Sequence, residues 1–286
     1  MNNEFNTSHP KIILELENVV GNKCSLGEGL FIKKDSKAWV DINNDKIFTF
    51  SNNILRNFKT KTKPSIIFDI NENNIVYGSD KGIINFDHST THEKAINLTS
   101  NNHALENYRS NDGGYCLGTK FLSFMHRSNP NDYPGYVYKV SNGKWHLIDD
   151  SLHIPNTFIE IESGKLIVSD SLKREIWLFE FTKNGLLENK TLWKKYNKGC
   201  APDGGCMVND LILITMWDDA SISVLEKSGK VLQNLKMPVI RPTNCKFDSK
   251  NSRLWVTSAY DGLDKSDLTK YPLSGETLIF KLALQY

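Results

Sequence analysis

Four short segments flanked by Gly or Pro carry side chains of the kinds that bind cations or position water. They are residues 26–29 with Glu28, 109–113 with Arg109 and Asn111, 154–156 with Asn156, and 202–205 with Asp203. Each segment alone is equally a favourable turn sequence. Together, Glu28, Asn156 and Asp203 offer two carboxylates and one amide carbonyl, all of them oxygen donors. Such a set suits one hard divalent cation, Ca²⁺ first, then Mg²⁺ or Mn²⁺, with Zn²⁺ less favoured without His or Cys ligands.

These segments precede the copies of a repeated apolar strand. The six copies occupy residues 37–42, 74–79, 120–125, 165–170, 211–216 and 253–258. Each is followed by another strand-like run, and their spacing of about 40–45 residues is the period of propeller blades. The sequence therefore predicts an all-β fold, a six-bladed β-propeller with four-stranded blades. The early run 12–16 has no blade of its own and is predicted to complete the last blade and close the ring. A two-sheet sandwich is the alternative, and the six similar units weigh against it.

The repeat also predicts where the polar segments meet. The first strand of each propeller blade lines the central channel, and all four segments fall at the start of a predicted first strand. Their side chains are therefore expected to converge at one end of the channel. Residues at the ends of the second strands are expected to lie away from that end, as turn and packing residues; they are Asp170, Trp217, Asp218 and Tyr260. His126 and His153 are expected to be ordinary loop or core residues.

Composition narrows the function further. The 286 residues include 35 basic and 33 acidic side chains in scattered order, which argues against binding to nucleic acid or an anionic membrane. No apolar run suits a signal peptide or a membrane span, so a cytoplasmic location is expected. The five cysteines are irregularly spaced, which favours buried thiols over a disulfide framework or a zinc finger. We expect one domain over residues 1–286, with 1–11 as a poorly ordered extension.

The ordered set of motifs resembles the SMP-30/gluconolactonase/LRE family, also called the regucalcin family. The matching segments are residues 26–29, 39–42, 109–113, 154–156, 169–171, 202–204, 241–243 and 256–262. The resemblance implies a six-bladed propeller, one divalent metal in the central channel and, in many members, hydrolysis of sugar lactones. Carried over residue by residue, it makes Glu28, Asn156 and Asp203 the metal ligands and makes Arg109 and Asn111 contacts for substrate or water.

The sequence departs from the family pattern at four places. Leu30 stands where Pro is usual, residues 114–117 replace the usual stretch after Asn-Asp-Gly, and residues 123–125 differ from the usual strand end. An acidic substrate contact of some members aligns near Ser128. The segment from Gly114 to Ser128 is therefore expected to alter the substrate pocket.

The leading hypothesis is a metal-dependent lactonase of sugar catabolism that acts on a small sugar lactone. In this hypothesis Asp203 binds the metal and also accepts the proton of the attacking water, while Arg109 donates to oxygens of the substrate. Two alternatives stay open: a metal- or ligand-binding propeller without catalysis, and an esterase or phosphotriesterase with a non-sugar substrate. A monomer or a small homo-oligomer is expected.

Overall fold

The computed structural model describes residues 10–21, 23–98, 105–197 and 199–286. Over these residues the chain forms six four-stranded antiparallel sheets, which confirms the predicted six-bladed propeller. Most of the predicted N-terminal extension, residues 1–9, lies outside the described residues. Lys11 of that extension already begins the first strand.

The strands follow one another blade by blade. The first strand of the described chain is β1 (Lys11–Val20). Blade 1 consists of β2 (Gly27–Lys33), β3 (Ser36–Asp41), β4 (Lys46–Ser51) and β5 (Ile54–Lys59), and blade 2 consists of β6 (Pro64–Ile70), β7 (Asn74–Ser79), β8 (Gly82–Asp87) and β9 (His92–Leu98). Blade 3 consists of β10 (Tyr108–Cys116), β11 (Thr119–His126), β12 (Tyr136–Ser141) and β13 (Lys144–Asp149). Blade 4 consists of β14 (Pro155–Glu162), β15 (Lys165–Asp170), β16 (Glu175–Phe181) and β17 (Leu187–Lys195), and blade 5 consists of β18 (Ala201–Val208), β19 (Leu211–Trp217), β20 (Ser221–Leu225) and β21 (Val231–Lys236). Blade 6 consists of β22 (Pro242–Asp248), β23 (Arg253–Ser258), β24 (Thr277–Gln285) and β1.

The repeated apolar runs form the second strand of every blade and are buried on both faces. In β15, Leu166 and Val168 pack towards blade 3, whereas Ile167 between them packs towards blade 5. This alternation recurs, so that one hydrophobic cluster fills each contact between neighbouring blades. Burial on both faces explains why these strands are almost continuously apolar.

The ring is closed by the N-terminal strand. β1 pairs with β24 from Lys11 opposite Gln285 to Val20 opposite Thr277, and it forms the outer strand of blade 6. The predicted closing segment 12–16 lies within β1, so this prediction is confirmed. Ile12 of this strand enters the cluster between blades 5 and 6. The first and last parts of the chain thus share one sheet.

One short helix interrupts the strands of the described chain. It is α1 (Lys265–Lys270), between β23 and β24, and the Asp264 side chain caps it by accepting hydrogen bonds from the N–H groups of Ser266 and Asp267. No helix within the described residues has the length and apolar character needed to cross a membrane.

Ring closure can be tested on two adjacent residues of β1. Ile12 is 1% exposed and Ile13 is 45% exposed. We expect Ile12→Ala to lower the free energy of unfolding by about 2–5 kcal/mol, because it leaves a cavity in the cluster between blades 5 and 6. The matched control Ile13→Ala should change it by less than about 1 kcal/mol. Urea denaturation measures both, and equal losses would contradict this account of closure.

Candidate metal and substrate site

The functional candidates lie at irregularities of the first strands. The pairing register shifts between Glu28 and Phe31 in β2, between Ser110 and Gly113 in β10, between Asn156 and Ile159 in β14, and between Pro202 and Gly205 in β18. A β-bulge bends its strand and redirects the side chains at the bulge. In four blades, a side chain near the start of the first strand therefore departs from the regular alternation between the two faces of the sheet. These side chains are Glu28, Asn111, Asn156 and Asp203.

These redirected side chains line one cavity at the centre of the ring. This central cavity has a volume of about 390 Å³, and its lining includes Glu28, Arg109, Asn111, Asn156 and Asp203. All five predicted site residues are thus brought together by the fold. Residues far apart in sequence meet because each lies at the start of a first strand.

Hydrogen bonds connect the predicted substrate contacts to a predicted ligand. Arg109 Nη1 donates to Asn111 Oδ1 at 2.8 Å, and Asn111 Nδ2 donates to Asn156 Oδ1 at 2.9 Å. Asn111 Nδ2 also donates to the carbonyl oxygen of Pro155 at 3.1 Å, and Asn156 Nδ2 donates to Ser171 Oγ at 2.9 Å. Both N–H groups of the Asn111 amide are therefore used within the protein. Asn111 orients Asn156, whose Oδ1 keeps a second lone pair for a cation.

Buried hydroxyl groups fix the backbone of these segments across blade boundaries. Thr157 Oγ1 of blade 4 donates to the carbonyl oxygen of Asp203 in blade 5, and Ser171 Oγ donates to that of Pro202 at 2.6 Å. Thr243 Oγ1 of blade 6 donates in the same way to the carbonyl oxygen of Gly27 in blade 1. The relative positions of Glu28, Asn156 and Asp203 are therefore set by contacts between blades as well as by the strands themselves.

Two residues beside the predicted ligands adopt left-handed backbone conformations. Gly29 has φ 60°, and a Cβ there would lie 2.6 Å from the carbonyl oxygen of Ser65. Only glycine fits this position. Thr157, next to Asn156, has φ 59°, which is rare for a β-branched residue. The Thr157 hydroxyl bonds to Asp203 O and Ser169 Oγ hold it there. Strain of this kind is typical of functional sites.

The site buries three carboxyl groups close enough to influence one another. Glu28, Asp112 and Asp203 are 7%, 4% and 4% exposed. Burial, together with the charge of Asp112, raises the pKa of Glu28 to about 8. Burial also raises the pKa of Asp112 to about 6. For Asp203, burial and then the charges of Glu28 and Asp112 raise the pKa well above its usual range. Desolvation therefore disfavours all three carboxylates, and the charge of neighbouring carboxylates adds to this effect at Glu28 and Asp203.

Within the described parts of the chain, none of these three carboxyl groups forms an ion pair with Lys, Arg or His. Asp112 Oδ1 is buried and has no hydrogen-bond partner among the described residues. Arg109 lies near the group and stays protonated, since burial lowers its pKa only to about 10. An uncompensated buried charge is strongly unfavourable, and a divalent cation held by Glu28, Asn156 and Asp203 would relieve it. The donor set therefore fits a hard cation.

The described residues hold no metal-binding group of three or more His, Cys, Asp or Glu side chains. The candidate set consists of two carboxylates and one amide. A metal would thus find two charged ligands here, which leaves room for water or substrate oxygens in a cation's coordination sphere of six or more.

A cavity of equal volume between blades 1 and 6 provides a contrast. It is also about 390 Å³, but its charged groups are paired. Lys37 Nζ lies 3.0 Å from Asp248 Oδ2, and Arg253 binds both carboxylate oxygens of Glu17. Unpaired buried carboxylates distinguish the central cavity from this one.

The expectation that Trp217 lies away from the site is wrong, since Trp217 lines the central cavity. In an antiparallel pair the end of the second strand lies beside the start of the first. Thus Trp217 is opposite Ala201 and Asp170 is opposite Pro155. Arg174 and Asp261 also line the cavity and follow second strands, and neither is among the residues predicted from the sequence. Their position follows from the repeat phase combined with antiparallel pairing, which places the residues after a second strand beside the start of the first strand.

The remaining candidates lie in other surroundings. Asp170 is fully buried and accepts backbone N–H groups on both sides of its strand, including those of His153 and Leu172. The ring of His153 contacts the carbonyl oxygen of Pro130, and His126 Nδ1 accepts the N–H groups of Ser128 and Asn129. These contacts organise loops.

The segment expected to alter the substrate pocket is divided between two places. Met125 lines the central cavity, but Gly114 lines a different cavity and Ser128 is exposed outside the central cavity. The strand end is therefore the part of this segment that faces the site.

Comparisons with known proteins agree with this architecture. A family model described as "SMP-30/Gluconolactonase/LRE-like region" matches residues 26–260. Regucalcin of Gallus gallus is 30% identical over 118 residues, 40% of this chain and 39% of that protein, so the match spans less than half of this relative. A calcium-binding protein, regucalcin from Agrobacterium tumefaciens str. C58, superposes with a TM-score of 0.84 at 20% identity over 92% of each chain. A luciferin-regenerating enzyme superposes with a TM-score of 0.81 at 19% identity, over 96% of this chain and 95% of its own.

The raised pKa of Glu28 predicts the pH dependence of stability in a chelator. Folding raises this pKa from 4.5 to about 8, so the folded protein holds the proton more tightly. The resulting stabilisation is present below pH 4.5 and is lost as the pH rises through about 8. The melting temperature with EDTA should therefore fall by a few degrees between about pH 5 and about pH 9, and less in Glu28→Gln.

Added Ca²⁺ should raise the melting temperature of the wild type most at the alkaline end, because cation and proton compete for the same oxygens. Identical pH profiles for the wild type and Glu28→Gln would contradict the assignment.

Proposed function

This chain belongs to the SMP-30/gluconolactonase/LRE-like family, and from that premise we propose that it is a metal-dependent lactonase that hydrolyses a small sugar lactone. The observation that carries the proposal is the pair of buried carboxyl groups, Glu28 and Asp203, which have no ion-pair partner among the described residues and face the same cavity as Arg109. A cation site next to a fixed guanidinium group is suited to an ester whose carbonyl oxygen gains negative charge during hydrolysis.

In this proposal Glu28, Asn156 and Asp203 hold one divalent cation. Ca²⁺ is the first candidate because all three donors are oxygens, and the related regucalcin from Agrobacterium tumefaciens is a calcium-binding protein. Mg²⁺, Mn²⁺ and Zn²⁺ remain alternatives. The bound cation supplies Lewis-acid polarisation of the lactone carbonyl and makes water more acidic.

In this proposal the side chains accept the proton, bind the substrate and orient the ligands. Asp203 would help to hold the cation and would accept the proton of the attacking water. Arg109 donates hydrogen bonds to the carbonyl oxygen, to sugar hydroxyls or to the carboxylate of the product. Asn111 keeps Asn156 in its ligating orientation through the 2.9 Å hydrogen bond. Trp217 and Met125 give the cavity apolar walls that limit the access of bulk water.

Metal analysis combined with a lactone panel tests the proposal. The purified protein is assayed for bound metal by elemental analysis and for acid release from γ- and δ-lactones, before and after chelation and after Ca²⁺ is restored. We expect turnover that is lost with EDTA and recovered with metal. Bound metal without turnover of any lactone would overturn the proposal and leave a binding propeller. Turnover confined to non-sugar esters or phosphotriesters would replace the sugar substrate.

The role of Asp203 is tested by Asp203→Asn, which keeps an oxygen ligand but removes the charge and the proton acceptor. We expect kcat on the best lactone to fall by roughly 10²–10⁴-fold. Asp210→Asn is the matched control, because Asp210 lies in the same blade with its side chain 89% exposed. Metal content is measured in parallel. An Asp203→Asn protein with normal metal content and full turnover would show that another group accepts the proton.

The role of Arg109 is tested by Arg109→Gln. Loss of charged hydrogen bonds to the substrate, worth about 1.5–3 kcal/mol, corresponds to a decrease of roughly 10- to 150-fold in kcat/KM. Arg109→Lys should recover part of it. Arg127→Gln is the control, because Arg127 pairs with Asp80 and is not among the residues that line the central cavity. If Arg109→Gln retains the wild-type kcat/KM and metal content, Arg109 does not contact the substrate.

A further inference from the structure

Two thiols from neighbouring blades meet inside the ring. Cys206 lies on β18 of blade 5 and Cys245 on β22 of blade 6, and their Sγ atoms are 3.8 Å apart. Cys206 is 8% exposed and Cys245 is fully buried. Both cysteines are in the free thiol form. Sulfur atoms at this distance are in van der Waals contact.

The fold itself produces this juxtaposition. Thr215 Oγ1 donates to the carbonyl oxygens of Gly204 at 2.7 Å and Thr243 at 2.8 Å, and so ties β18 to β22 two residues before the thiols. The strands approach so closely that a Cβ on Gly204 would lie 2.5 Å from Asn244 Cγ. The two sulfurs are therefore held together by the packing of two inner strands.

One of the two cysteines also lies beside a cavity at the far end of the channel. Cys206 lines a cavity of about 270 Å³ together with Met207, Lys246 and several apolar side chains. The first strands run away from Glu28 and Asp203 towards this far cavity, since Cys206 follows Asp203 in β18. A small uncharged molecule in the far cavity would lie beside Cys206, whose side chain packs in the cluster between blades 5 and 6.

The surroundings also favour ionisation of Cys206 over Cys245. The hydrogen bond between the two sulfurs, and then the positive charge of Lys246, lower the pKa of Cys206. The same sulfur contact raises the pKa of Cys245. Lys246 Nζ is fixed near the pair by donation to the carbonyl oxygen of Gly205 at 2.6 Å. Because the thiolate is the reactive form, Cys206 is the attacking group and Cys245 the resolving group.

We propose that Cys206 and Cys245 are a redox-active dithiol, which hydrogen peroxide entering the far cavity oxidises to a disulfide between blades 5 and 6. The Cys206 thiolate attacks one peroxide oxygen, the O–O bond breaks, and a proton completes the first water and leaves a sulfenic acid. The Cys245 sulfur then attacks the sulfenic sulfur, the S–O bond breaks, and a second water leaves. Two thiols are oxidised by two electrons in total, and one peroxide is reduced to two waters.

The product fits the fold with small movements. A disulfide requires an S–S distance of about 2.05 Å, so the sulfurs approach by less than about 2 Å, within reach of side-chain rotation and slight strand displacement. The bond would close a loop from Cys206 to Cys245 and restrict the unfolded chain, so the oxidised protein should melt at a higher temperature than the reduced one. This inference is independent of the lactonase proposal.

Peptide mapping of the folded protein tests the inference. Trypsin releases Cys206 in residues 199–227 and Cys245 in residues 237–246, but the first peptide also contains Cys200. The parent protein is therefore Cys200→Ser, treated with a small excess of hydrogen peroxide, alkylated under denaturing conditions and analysed without reduction. Cys245→Ser and Cys245→Ala in this background remove the resolving thiol, and Cys116→Ser is the control that keeps the pair.

We expect the parent and the Cys116→Ser control to form one cross-link between the two peptides, which dithiothreitol reverses with a return of the lower melting temperature. Neither Cys245 variant should form it, and the Ala variant covers the case in which Ser disturbs the core. The inference is overturned if both thiols remain alkylatable after peroxide, if Cys206 is over-oxidised without cross-linking, or if the cross-link appears only after the protein is unfolded.

Discussion

Closure of the ring by β1 and β24 is the constraint on which the rest of the structure depends. A blade is apolar on both faces of its second strand, as Leu166, Ile167 and Val168 show, so it is stable only between two neighbours. An open row of six blades would leave two such faces in water. The pairing of β1 with β24 removes this problem by making the two ends of the chain part of one sheet. Closure also forces six first strands to meet around one axis, which creates the central cavity.

The unfavourable features of the candidate site depend on the stability of this closed ring. Burial of Glu28, Asp112 and Asp203 without ion-pair partners among the described residues, and a left-handed Thr157, are locally unfavourable. They persist because hydroxyl groups of one blade hold the backbone of the next, as Thr157 does for Asp203 and Thr243 for Gly27. The bulges then direct the side chains of the predicted ligands inward. A preorganised, desolvated set of oxygens results, and such a set gains more from a cation than a solvated one would.

The sequence was most informative where periodicity and burial coincide. The second strands were predicted to within about two residues, because burial on both faces leaves an unbroken apolar run, as in β15 and β23. The convergence of Glu28, Asn156 and Asp203 followed from the repeat phase. The position of Trp217 does not follow from the repeat phase alone, because it depends on the antiparallel pairing that places the end of β19 beside the start of β18. The repeat phase places Cys206 and Cys245, 39 residues apart, on the first strands of adjacent blades. It does not predict that their sulfurs meet, because a register shift in each strand changes which side chains face each other.

The two ends of the channel therefore differ in their chemistry although the same strands build both. On β18, Asp203 lines the central cavity, and Cys206, three residues later, lines the far cavity. The bulge between Pro202 and Gly205 separates these two positions and resets which side chains point inward. At one end, desolvated carboxyl groups offer the oxygen donors that hard cations prefer. At the other, mostly apolar side chains line the far cavity beside Cys206. One strand can line both cavities because each cavity depends on the few residues on its own side of the bulge. The closed ring holds both cavities in place.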